Sequence, residues 1–177
     1  MARLLVRPTP GERAAALPGD DLVSADVVMD RAFTVTAPPV RVWPWLVQLG
    51  KERAGWYLPR PVEHAVPRSR RALRRIEPTF QQLGVGDVIP DWGGVHATFT
   101  VAELEPRSHL LFTSTRGRMH LTWCIRLTPA PADGTRVHLR LRLGPVRRRR
   151  LAESLGGLVD LLTIAGLAAG LEERVSG

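Results

Sequence analysis

Alternating apolar and polar residues divide this chain into a strand-rich middle and helical ends. From Val95 the period is two: Val95, Ala97, Phe99 and Val101 share one face, and His96, Thr98 and Thr100 the other. His109 to Thr115 continues the pattern with Leu110 and Phe112 together, and Leu121, Trp123, Ile125 and Leu127 alternate with His120, Thr122, Cys124 and Arg126. The cleanest run sets Val137, Leu139, Leu141 and Leu143 against Arg136, His138, Arg140 and Arg142. Strands of this kind have one buried and one wet face, and their short connections predict an antiparallel meander. The core is therefore expected to hold Trp123, Val137, Leu139 and Leu141, with Arg136, His138, Arg140 and Arg142 in solvent. Glu103 continues the Phe99–Val101 face, as a strand-end residue or an inward carboxylate.

Upstream, Val27 to Thr36 reads as a strand and Pro38-Pro39 as a helix start, since proline suits the first helical turn. Val42, Trp45, Leu46 and Leu49 give that helix an apolar face, with Pro44 inside it. Gly55-Trp56-Tyr57-Leu58-Pro59 reads as a loop, Pro61 to Val66 as a short helical segment, Val88-Ile89 as a brief strand and Asp91-Trp92-Gly93-Gly94 as a turn. Leu151 to Val175 reads as a helix apolar nearly all round, a pattern of burial on two sides. Leu151, Leu155, Leu158, Leu162 and Ala165 are expected to plug the sheet. Ile164, Leu167 and Leu171, near Asp160, would then need a cover: the N-terminal arm, a second copy of the chain or a membrane.

The stretch Met29 to Pro59, a strand followed by the Trp43-Pro44-Trp45 helix and a Gly-Trp-Tyr loop, resembles the opening of the START-like superfamily, also called SRPBCC or polyketide cyclase/dehydrase-like proteins. Leu17-Pro18-Gly19-Asp20-Asp21, Leu83-Gly84-Val85-Gly86-Asp87 and the terminal helix are similar to actinobacterial proteins of that type. The resemblance implies an α+β helix-grip fold: a curved antiparallel sheet of six or seven strands around a long C-terminal helix. Residues 1–22 would form an arm with a helical turn from Pro10 to Leu17, and residues 23–177 a single domain. No catalytic residue is carried over, because the superfamily holds binders, carriers and enzymes.

Composition narrows the partners. At 177 residues, 44% hydrophobic and 24% charged, the chain suits one soluble domain. The net charge of +8 points toward nucleic acid. One lysine, Lys51, stands against 24 arginines, however, a ratio that looks like codon bias in a GC-rich genome and makes nucleic-acid binding the weaker reading. The clusters Arg68 to Arg75 and Arg147 to Arg150 read as solvated runs rather than phosphate grips. Cys124 is the single cysteine, so no internal disulfide forms. The N-terminus lacks a signal-like apolar run, which leads to an expectation of a cytoplasmic protein. Leu155 to Leu171 falls short of the about 20 apolar residues of a span and carries Asp160, so a membrane-spanning role is not expected.

The candidate chemistry lies in aromatic loops. Trp56, Tyr57 and Trp92 sit beside glycine or proline, where amphipathic rings line pocket mouths. With His96, Phe99, Phe112, Trp123, Leu158 and Leu162 they form the expected ligand-binding set. Asp91 and His96 are the better acid/base candidates, because a carboxylate beside an imidazole orients it and raises its basicity; Glu63-His64 is the other such pair. His120 and Cys124 make a weak metal claim, so no metal is expected. No phosphate loop, Gly-x-Ser-x-Gly elbow or dinucleotide fingerprint occurs, and no cofactor is expected. The preferred function is binding of a hydrophobic or amphipathic small molecule (lipid, polyketide or aromatic) between sheet and C-terminal helix. Two alternatives stay open: a cyclase or dehydratase acting on a polyketide-like substrate, and an interaction protein whose cavity is filled. A homodimer through the second apolar side of the C-terminal helix is the expected assembly.

Overall fold

Short turns between alternating segments leave antiparallel pairing as the economical way to satisfy the backbone. The computed structural model, which describes residues 6–146 and 157–177, has one six-stranded antiparallel sheet. Its strands are β1 (Val27–Val35), β2 (Val88–Pro90), β3 (Thr98–Glu105), β4 (His109–Arg116), β5 (Met119–Ala130) and β6 (Gly134–Gly144), in the order β1-β6-β5-β4-β3-β2. The helices described are α1 (Pro10–Ala14), α2 (Pro39–Val47), α3 (Arg60–His64) and α4 (Gly157–Val175). The fold is the α+β helix grip, with α4 in the curve of the sheet. The Arg147 to Arg150 cluster, and the expected helical turns at Leu151 and Leu155, lie outside the described residues.

Register carries the apolar positions across the concave face. Met29 pairs with Leu141, Leu141 with Trp123, Trp123 with Phe112, and Phe112 with Val101. One row deeper, Arg31, Leu139, Ile125 and Leu110 are aligned in the same way. Val137 and Leu139 are fully buried as expected, whereas Trp123 and Leu141 are half-buried. Val95 falls before β3 and is exposed, so the alternation begins later than the sequence predicts.

Three expectations need correction. The first concerns α4: Leu158 and Leu162 are 55% and 65% exposed, while Ile164, Leu167, Ala168 and Leu171 are buried against the sheet. Two features set this rotation. Asp160 lies on the inward side, where Arg31 of β1 meets it at 2.8 Å and also donates to the Gly157 carbonyl at 2.7 Å. Gly170 lets the helix close onto the Tyr57–Leu58 backbone, where a Cβ would come within 2.6 Å of the Leu58 nitrogen.

The second correction concerns the convex face. His138 and Arg140 are 5% and 4% exposed, not solvated, because the N-terminal arm lies across them rather than along α4. Arg140 donates from Nε to Asp30, from Nη1 to Asp20 and the Ala15 carbonyl, and from Nη2 to the Glu12 and Arg13 carbonyls. His138 Nε2 lies 2.7 Å from Asp30. The arm holds its shape through a capping box, in which Thr9 Oγ1 accepts from the Glu12 amide and Glu12 accepts from the Thr9 amide. Leu17 then packs on Leu111 and Cys124.

The third correction concerns Glu103. A bulge between Val101 and Glu103 shifts the register, so Glu103 pairs with Leu111 on the outer face while Leu104 returns inward. Glu103 there meets His109 Nε2 at 2.8 Å.

Two outcomes follow from this packing. Ile164→Ala or Leu167→Ala should cost about 2–5 kcal/mol in urea unfolding, and Leu162→Ala less than about 0.5 kcal/mol. Burial pushes the Cys124 thiol up to about 12. A disulfide reagent at pH 8 should leave the native thiol unmodified and label it rapidly in Leu17→Ser, which uncovers it.

Candidate functional site

The half-buried ring of Trp123 marks where the concave face stops being ordinary core. Phe99, Phe112 and Trp123 project from neighbouring strands into one cluster, with centroids 5.6 Å apart for Phe112–Trp123 and 5.8 Å for Phe99–Trp123. From the loop after α2, Trp56 stacks on Trp123 at 6.1 Å with an interplanar angle of 26°. Its indole N–H donates to the Thr163 carbonyl of α4 at 3.2 Å, which ties the ring to the helix. Trp92 meets Trp56 edge-on at 5.9 Å and is 53% exposed. The result is a connected wall that runs from buried Phe112 and Phe99 to a ring in solvent.

The Trp92 loop is anchored at Asp91. Its amide donates to the Ala97 carbonyl at 2.8 Å, and its carboxylate accepts from Arg116 Nη2 and from the Gly93 amide. Arg116 lies over the Phe99 ring at 5.5 Å and its Nε is 3.4 Å from Ser114 Oγ. A Cβ at Gly93 would meet the Arg116 guanidinium, so a larger residue there would displace that side chain. A cleft of about 270 Å³ opens at the β1 edge, lined by Val27, Met29, Arg31 and Gly157 together with Val28, Asp30 and Arg13.

The sequence-predicted set is only partly brought together. Trp56, Trp92, Phe99, Phe112 and Trp123 converge. Tyr57 turns the other way: it is fully buried, donates to the Trp45 carbonyl at 2.8 Å and carries the Arg174 guanidinium over its ring at 4.5 Å. Burial pushes its phenol well above the ordinary range. His96 is exposed, and Asp91 is held by Arg116, so the two do not form the anticipated acid/base pair. Leu158 and Leu162 face solvent on the outer side of α4. Arg116 was missed by the sequence reading, although its parity with Phe112 and Ser114 carries the signal.

Glu63 proves structural. It is 4% exposed and accepts from Arg174 at 2.5 Å and from Arg74 at 2.9 Å, which fastens α3 and its following loop to α4. Burial pushes its carboxyl up, but those two guanidinium hydrogen bonds outweigh it and hold the pKa below the usual value. Arg71 likewise donates to the Val66 and His64 carbonyls, so part of the Arg68 to Arg75 cluster holds backbone. No helix among the described residues is long and apolar enough to cross a membrane.

No family model matches the chain, and no curated protein matches it in sequence. Among solved structures, it is similar to a protein of Mesorhizobium loti at 21% identity and TM-score 0.50, over 85% of this chain and 96% of that one. A Rhodobacter sphaeroides protein aligns at 13% identity and TM-score 0.53, over 84% and 92%. CalU16 from Micromonospora echinospora aligns at 15% identity and TM-score 0.50, over 85% and 89%. At these identities the likeness is one of fold, and that fold is START-like.

Removing one partner of the Glu63–Arg174 pair leaves a buried charge unanswered. Glu63→Ala should therefore cost about 3–5 kcal/mol in urea unfolding, against less than about 0.5 kcal/mol for the neighbouring exposed His64→Ala.

Proposed function

We propose that this protein binds a hydrophobic or amphipathic small molecule, of lipid, polyketide or aromatic type, against the aromatic wall of the sheet. The observation that carries this reading is the connected wall itself, Trp92–Trp56–Trp123–Phe112–Phe99, open to solvent at Trp92. A core that served packing alone would have little reason to end in exposed tryptophan. Burying about 200 Å² of ligand against it would contribute about 5 kcal/mol at 25 cal/mol per Å². The exposed Trp92 ring, edge-on to Trp56, offers a flat ligand ring a face to stack on.

The deep end of the same face is occupied by Phe33, Ile164, Leu167 and Leu171, which confines the ligand to the Trp56–Trp92 end. Carriage is favoured over catalysis because the acid/base pair expected beside the wall is not assembled: Asp91 is paired with Arg116, and His96 stands in solvent.

Titration with N-phenyl-1-naphthylamine, a neutral apolar dye, tests the reading. Saturable binding is expected, weakened about tenfold by Trp123→Ala or Trp56→Ala. Absence of saturable binding, or binding indifferent to both replacements, would refute it.

A further inference from the structure

The wall ends in a charge that its packing does not call for. On β4, Leu110, Phe112, Ser114 and Arg116 alternate onto the concave side, so the aromatic row is followed by a hydroxyl and then a guanidinium. Ser114 is buried, and Arg116 rests on the Phe99 ring at 5.5 Å. A guanidinium laid on an aromatic face and partly withdrawn from water is costly unless something negative meets it. In this structure Asp91 does so, from a loop whose next residues are exposed Trp92 and two glycines. Arg31, also on the concave face, is held between Asp160 and the Gly157 carbonyl beneath α4. Arg116 is held by side chains at the rim.

We infer, resting on the ligand-binding reading above, that the ligand is an amphiphile carrying a carboxylate or similar acidic group, received by Arg116 and Ser114 in place of Asp91. The planar guanidinium offers paired N–H donors suited to a carboxylate. Ser114 Oγ, 3.4 Å from Arg116 Nε, supplies a further donor to the same spot. The incoming carboxylate replaces Asp91 as the counter-charge of Arg116, and Asp91 is released from the pair. Arg116 thereby selects acids over neutral lipids, while the tryptophans take the apolar body.

The test uses 11-(dansylamino)undecanoic acid and its methyl ester, with energy transfer from tryptophan as the readout. The acid should bind about tenfold more tightly than the ester. Arg116→Gln should bring the acid-to-ester affinity ratio close to one. Asp91→Asn should raise that ratio, because it removes the competing carboxylate. A tether role for the Asp91–Arg116 pair predicts otherwise: Asp91→Asn would then weaken acid and ester alike and leave the ratio where it was. A wild-type ratio of one or less, or a ratio indifferent to both replacements, overturns the inference while binding of the ester preserves the hydrophobic reading. If neither probe binds, the reading falls and the inference with it.

Discussion

A guanidinium can be buried only where its N–H groups are answered, and the outer half of this molecule is organised around one that is. Each of the Arg140 nitrogens meets an acceptor: Asp30 on the neighbouring strand, Asp20 at the end of the arm, and the carbonyls of Glu12, Arg13 and Ala15 between them. Removing any acceptor would strand a donor in a dry place. The arm is thus positioned by the sheet's own polar face. Once it is there, Leu17 seals Leu111 and Cys124, and His138 shares Asp30. The sheet ends up covered on both sides, by polar anchoring on the convex face and apolar packing against α4 on the concave one.

That asymmetry explains what could be read in advance. Strand parity was legible from β3 to β6, most sharply in β6, where a one-residue slip would exchange its leucines with charged neighbours. Burial on the polar parity was not, since the acceptors for Arg140 are mostly backbone carbonyls, to which side-chain patterning is blind. The facing of α4 was misjudged for a related reason. Counting leucines favours the Leu158–Leu162 side, yet the helix is turned by an ion pair with Arg31 and by the closeness that Gly170 permits. Glu103 was misplaced by an extra residue at the bulge, which no alternation rule anticipates. In the Gly-Trp-Tyr loop, adjacent rings take opposite fates: Trp56 joins the wall, and Tyr57 is drawn inward by the Trp45 carbonyl.

The concave face divides into two regimes. Toward the C-terminal end of α4, Phe33, Val137, Leu167 and Leu171 fill the space, and Arg174 links Glu63 to the helix. Toward its N-terminal end the helix meets the sheet through Arg31 and Asp160, and the rings of Trp56, Trp92 and Trp123 take over. The first regime holds the fold together and leaves the second, with its exposed Trp92, free of that task. The two ends of one helix are thus fastened to the sheet by different means, apolar packing at one and an ion pair at the other.

The pairing of β1 with β6 bears on how the chain is made. Val27 lies opposite Leu143, and the Arg140 contact to Ala15 joins residues 125 positions apart. As the chain emerges from the ribosome, β1 and the arm appear first, yet their partners are among the last strands to be synthesised. Until then β1 is an unsatisfied edge carrying Val27, Val28, Phe33 and Val35, the kind of segment that recruits wrong partners. Asp30 and Arg31, set in the middle of that strand, act during this interval as gatekeepers: charges that discourage intermolecular pairing before they find Arg140 and Asp160. The two ion pairs that lock the finished fold thus also stand at contacts of large sequence separation, the kind whose closure is entropically costly.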